Sequence, residues 1–171
     1  TNIYRNLNIS NVYAGIYLLG DAAFPDLACQ IGNTSPTAFN TIGGLTAFDI
    51  GGGNVATQNF GIRIASQSGA KVFNNLVRNV SAQTTTDGIL CELGQGTSEI
   101  YMNKVQTVRN NGTASTSFAS GIRANLATTG THSLRVYNNF VADITSAYTG
   151  AATATRIVKG IYVQSAGSGV S

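Results

Sequence analysis

One six-residue phrase returns along the whole chain: Asn, any residue, an aliphatic, two further residues, another aliphatic. It begins at Asn6, Asn40, Asn75, Asn103 and Asn139, reading NLNISNV (one residue longer), NTIGGL, NLVRNV, NKVQTV and NFVADI. A second phrase, Gly-Ile-x-(aliphatic or small), follows each one: GIYL at 15–18, GIRI at 61–64, GILC at 88–91, GIRA at 121–124 and GIYV at 160–163. Successive Asn residues are 34, 35, 28 and 36 apart. Self-similarity on that scale marks a unit that cannot bury its apolar face alone and stacks on copies of itself.

The Gly-Ile phrase places apolar side chains two apart, as in Ile62/Ile64 and Ile161/Val163, which is the alternation of a strand. The residues between them, Tyr17, Arg63, Leu90, Arg123 and Tyr162, are expected to point outward. The preceding Gly suits a turn or bend with positive φ. A second strand is expected before each Asn phrase, starting at Ile3, Val72, Ile100 and Val136. There Tyr4, Phe73, Tyr101 and Tyr137 form an aromatic column best read as a stack that fixes register. After each Asn, aliphatics stand three apart (Ile42/Leu45, Val77/Val80, Val105/Val108, Val141/Ile144). That spacing breaks period two and predicts a bulge or bend. Gly and β-branched residues saturate every window, so no helical stripe persists.

Repeat lengths vary mainly in one segment, which is how a coil with one variable loop behaves. A propeller or sandwich would need antiparallel hairpins with turn pairs, and the strict six-residue period of a hexapeptide helix is absent. Only 10% of residues are charged, against about a quarter in ordinary soluble proteins. The ten basic and seven acidic side chains are scattered singly. With no basic run and no apolar run of ~18 residues, neither nucleic-acid binding nor membrane insertion is expected. Cys29 and Cys91 could form one disulfide but lie outside any metal-ligand spacing; Cys91 sits at an aliphatic position and reads better as a buried thiol than as half of a bridge.

These phrases (VFNNLVRNV, VYNNFVADI, GIYV), with QIGNTSPTAFNTIGG at 30–44, resemble the right-handed parallel β-helix repeats of the pectate-lyase-like superfamily. The resemblance covers essentially the whole chain. It implies an all-β solenoid over residues 1–171, a single domain of about five coils with one variable loop each. It also implies inward Asn side chains, Asn6, Asn40, Asn75, Asn103 and Asn139, bonding along a ladder. The chain then reads as an excised part of a longer solenoid from an exported or cell-surface bacterial protein, with end-to-end stacking on itself or on missing coils.

Repeat motifs specify architecture and not activity. Tyr17, Arg63, Arg123 and Tyr162 suit polysaccharide: rings stack on pyranose faces and guanidinium forks bind hydroxyls or carboxylates. The acids are Asp21, Asp26, Asp49, Asp87, Glu92, Glu99 and Asp143, no two of them adjacent. Asp87 and Glu92, near Arg63 and Arg123, form the one constellation that a lyase could use, and Ca2+ would be its cofactor; otherwise neither metal nor cofactor is expected. The clustered Asp motif and Gly-His phrase of the superfamily's hydrolases are missing. His132, the sole His, is expected in a surface turn, and the Thr runs (84–86, 128/129, 153/155) in loops. The preferred expectation is a non-catalytic scaffold, adhesion or carbohydrate-binding module. The alternatives are a fragment of a polysaccharide lyase or glycoside hydrolase, and a self-stacking fibre subunit.

Overall fold

β-Branched and aromatic residues in short alternating runs, broken by Gly and Asn, do form short strands throughout the chain. The computed structural model describes residues 1–35, 37–52, 56–92, 96–114, 117–126, 132–150 and 158–165. Sheet I orders β1 (Ile3–Tyr4), β5 (Gln30–Gly32), β9 (Lys71–Phe73), β12 (Gly96–Tyr101) and β15 (His132–Tyr137) side by side. Sheet II does the same with β2 (Asn8–Ile9), β6 (Asn40–Ile42), β10 (Asn75–Ala82), β13 (Lys104–Asn110) and β16 (Phe140–Ser146). Sheet III holds β3 (Ile16–Leu19), β7 (Asn59–Ala65), β11 (Thr85–Glu92), β14 (Phe118–Leu126) and β17 (Lys159–Ser165), and β4 (Asp26–Leu27) pairs with β8 (Gln67–Ser68). Every pairing is parallel. The chain visits sheets I, II and III in turn and then returns to I. The described residues contain no helix, so none is long and apolar enough to cross a membrane. This all-β stack of parallel sheets is compatible with a parallel β-helix or solenoid.

Register follows the Gly-Ile phrase: Ile16, Ile62, Ile89, Ile122 and Ile161 stand side by side across sheet III. Four of them, all but the edge residue Ile161, are buried among Val72 and Ile100 of sheet I and Val77, Val80, Val105 and Val108 of sheet II. The Gly of the phrase serves packing. None of these glycines has positive φ, contrary to the expected bend; a side chain on Gly88 or Gly121 would collide with Val105 or Val141 of the adjoining sheet. Cys29 and Cys91 are both buried free thiols, and Cys91 stands in register with Ile64 and Ala124. Burial, with Glu92 adding to it, pushes the Cys91 thiol up to about 12.

Three of the four aliphatic pairs three apart enclose one residue in the left-handed region: Asn79 (φ 54°), Thr107 (φ 57°) and Asp143 (φ 53°). One such residue turns the strand so that both aliphatics face inward, as a bulge does. In the NTIGGL phrase the second aliphatic is not Leu45, which is 86% exposed. An inserted loop delays the position to Ile50, which bridges Val12 and Val80 and is fully buried.

Buried amides run through the corner between sheets I and II. Asn40 Nδ2 donates to Asn75 Oδ1 (2.9 Å), Asn75 Nδ2 to Asn103 Oδ1 (2.8 Å), and Asn103 Nδ2 to Asn139 Oδ1 (3.0 Å). Asn6 does not join them. Asn8 faces Thr41, which puts Leu7 beside Asn40, and the Leu7 N–H donates to Asn40 Oδ1 (2.9 Å). Asn6 has φ 57° and shares its left-handed place with Asn74, Met102 and Asn138; its Oδ1 accepts from Asn33 Nδ2 (2.6 Å). The same one-residue slip moves Tyr4 out of the aromatic column, because Tyr4 pairs with Ile31 and packs on the core. Phe73, Tyr101 and Tyr137 do stack, with centroids 5.1 Å apart and planes within 4°.

Candidate functional site

Gly88 and Ile89 both turn inward, so Asp87 and Leu90 are left on the outer side of β11. The expected outward column is one in-register row: Tyr17, Arg63, Leu90, Arg123 and Tyr162. Its exposure differs from expectation. Leu90 is fully buried and Arg123 only 8% exposed, whereas Tyr17 is exposed and Arg63 and Tyr162 half-buried. Alternation fixes which side of a strand a residue occupies; neighbouring side chains then cover the middle of the row.

Two ion pairs organise this face. The Arg63 guanidinium holds Glu92 through Nη2 and Nε (2.6 and 2.7 Å) and lies 4.7 Å from the Tyr17 ring centroid. Arg123 Nη2 donates to Asp87 Oδ2 at 2.7 Å, with the guanidinium 4.9 Å from the Phe118 ring. Asp87 is fully buried; it also accepts from the Ser120 hydroxyl and from Gln58 Nε2 (3.1 Å). Burial pushes the Asp87 carboxyl up, opposed by the Arg123 charge and by the bonds from Ser120, Arg123 and Gln58. A buried carboxylate is tolerable only with such partners. Arg123 Nε finds none. Lys159 Nζ sits 3.1 Å from the Tyr162 ring centroid.

Asp87, Glu92, Arg63 and Arg123 therefore do meet on one face, but as two closed pairs. The sequence reading missed Phe60, Ser120 and Lys159, the residues just before Gly-Ile, which flank the row: Phe60 and Ser120 both stand beside Asp87. Reading the phrase one residue further back would have found them. The other acids are also engaged. Glu99 takes Lys71 (3.1 Å) and Arg135 (4.0 Å), and Asp143 takes Arg109 (3.6 Å). Asp26 accepts from Gln67 (3.0 Å), and Asp21 accepts from the N–H groups of Ala23 and Phe24.

Asp49 borders a hollow of about 220 Å3 between Tyr13 and Phe48. Burial alone would raise its carboxyl, but bonds from the Asn11 and Gly44 N–H groups and the Thr46 hydroxyl hold it below the usual range. Among the described residues no three His, Cys, Asp or Glu side chains cluster to hold a metal ion. His132 opens β15 instead of lying in a turn, and Thr85 and Thr86 belong to β11; Thr128, Thr129, Thr153 and Thr155 lie outside the described residues. The chain matches no family model, no curated protein and no solved structure.

Proposed function

We propose that this chain is a non-catalytic segment of a right-handed, pectate-lyase-like parallel β-helix, about five coils joined by an asparagine ladder, from an exported or cell-surface protein. Its role is to bind polysaccharide along the outer face of sheet III. One observation carries the reading: on this face aromatic rings stand beside cations while each neighbouring carboxylate is already held by an arginine. Tyr17 with Arg63 at one end, and Tyr162 with Lys159 at the other, offer ring faces and donors. Pyranose rings are bound by that combination. A carboxylate locked to arginine is poorly placed for acid–base work, which asks for a proton poised near the operating pH.

The test is a glycan array with acidic and neutral polysaccharides, repeated with Tyr17→Ala/Tyr162→Ala and with Arg63→Ala. Binding that falls at least tenfold in both variants is expected. An array blank for the unaltered protein sinks the proposal. The lyase or hydrolase alternative draws on the meeting of Asp87, Glu92, Arg63 and Arg123. Release of unsaturated or reducing ends, abolished by Asp87→Asn or Glu92→Gln, would favour it over a binding module.

A further inference from the structure

The loop that delays Ile50, residues 43–52, is pinned on both sides. On one side the Asn11 N–H donates to Asp49 Oδ2 (2.9 Å) and the Val12 N–H to the Asp49 carbonyl (3.2 Å). On the other, Arg78 Nε donates to the Gly43 carbonyl (3.0 Å), Asn79 Nδ2 to the Gly44 carbonyl (2.8 Å) and the Ile50 N–H to the Asn79 carbonyl (3.1 Å). A loop held this firmly could bury its apolar side chains, as it does Ile50. Phe48 is exposed instead, and it stands at φ 62°. That backbone region is a genuine outlier for a bulky residue. Such strain persists only where the surroundings impose it, and it clusters where ligands bind. The exposure does not come from an end of the chain, because Ile50 of the same loop has Val12 on one side and Val80 on the other.

Phe48 and Tyr13 are the aromatic walls of the 220 Å3 hollow, and Gly51 and Gly52 border it without a side chain to fill it. Tyr13 is tied to the stretch that follows the loop, since its hydroxyl shares a hydrogen bond with that of Thr57. Asp49 supplies the polar group. Its Oδ2 takes the Asn11 and Gly44 N–H groups, whereas its Oδ1 takes only the Thr46 hydroxyl (3.2 Å). An ionised carboxylate has about four lone-pair sites, so Oδ1 keeps a place for one more donor. The three donors and the nearby Arg78 already answer the charge of Asp49. An organic cation therefore gains little here, but a hydroxyl needs only the open lone pair. The volume lies below the roughly 300–1,000 Å3 of pockets for drug-sized ligands, and it suits one sugar ring.

We infer that this hollow binds a single neutral pyranose unit, with its ring between Tyr13 and Phe48 and one hydroxyl donating to Asp49 Oδ1. Aromatic walls supply the apolar contact that a pyranose face asks for, and the carboxylate fixes its orientation. The site is separate from the outer face of sheet III and is independent of what that face binds.

Saturation-transfer NMR on the whole chain tests it, with a panel of neutral methyl pyranosides as probes and choline as the cationic comparison. At least one pyranoside should bind the unaltered chain, and its affinity should fall at least tenfold in Phe48→Gly and in Tyr13→Ala. Tyr162→Ala, which alters only the sheet III face, should leave that affinity unchanged. Phe48→Gly also removes the left-handed strain, since glycine adopts positive φ freely. Its urea midpoint should therefore stay at or above that of the unaltered chain, which separates lost binding from lost folding. Transfer to no pyranoside, transfer to choline alone, or an affinity that Phe48→Gly leaves unchanged would each overturn the inference.

Discussion

Replacing Asn75 by Leu removes four hydrogen bonds in one place. Its Nδ2 donates to the carbonyls of Ile31 (3.0 Å) and Phe73 (3.0 Å) and to Asn103 Oδ1, and its Oδ1 accepts from Asn40. Two of those partners keep another bond: Asn40 Nδ2 still donates to the Tyr4 carbonyl, and Asn103 Oδ1 still accepts the backbone N–H of residue 75. The Ile31 and Phe73 carbonyls lose a donor. At about 1–3 kcal/mol for each buried group so deprived, the loss is ~2–6 kcal/mol. Burying leucine carbon offsets about 1–2 kcal/mol of it. Asn75→Asp separates shape from chemistry, because it keeps the outline but turns an oxygen toward three oxygens. Only the protonated acid could donate there, so its folded pKa should rise above the ~3.9 of an unfolded aspartate. The sign follows: the variant is most stable below that value and loses stability as pH rises toward the folded pKa. Urea unfolding followed by circular dichroism measures both, with the exposed Asn8→Leu as control. An Asn75→Leu chain within about 0.5 kcal/mol of the unaltered protein, the range of ordinary surface changes, would refute the reasoning.

Asp87→Asn strands Arg123 in a buried site and should cost about 3–5 kcal/mol, whereas the double change Asp87→Leu/Arg123→Met should cost clearly less; urea midpoints decide. Thr107→Asn should stabilise by roughly 1 kcal/mol, because a β-branched residue at φ 57° is strained and asparagine tolerates that region. Asp49, held below its ordinary range, contributes stability above the unfolded pKa that is lost as pH falls through the folded one. Asp49→Asn should therefore flatten the acid limb of a melting-temperature profile between about pH 5 and pH 2.

Much of the strand plan was legible because its signals are local. Gly-Ile alternation placed five strands of sheet III in register, and the spacing of three located the bends, though not that left-handed Asn79, Thr107 and Asp143 make them. The register errors come from insertions, since in a structure of period two even one added residue changes which side every later side chain takes. In NLNISNV the longer phrase lets either Asn6 or Leu7 stand beside Asn40, and the sequence does not say which; the structure chose Leu7, and Tyr4 moved with it. In NTIGGL an insertion hid Ile50 behind Leu45. The site was harder to read. Periodicity tells which side of a sheet Arg123 and Leu90 occupy, but not that Phe118 and Asp87, itself held by Ser120, close on the guanidinium. That depends on contacts between residues some thirty apart, which no local pattern records.

The most direct measurement is side-chain amide NMR. Coil-on-coil register predicts cross-peaks linking the Nδ2 protons of Asn40 with Asn75, Asn75 with Asn103 and Asn103 with Asn139, with slow hydrogen exchange at Asn75 and Asn103. Nδ2 protons of Asn75 that exchange as fast as those of exposed Asn8, with no cross-peak to either neighbour, would contradict it.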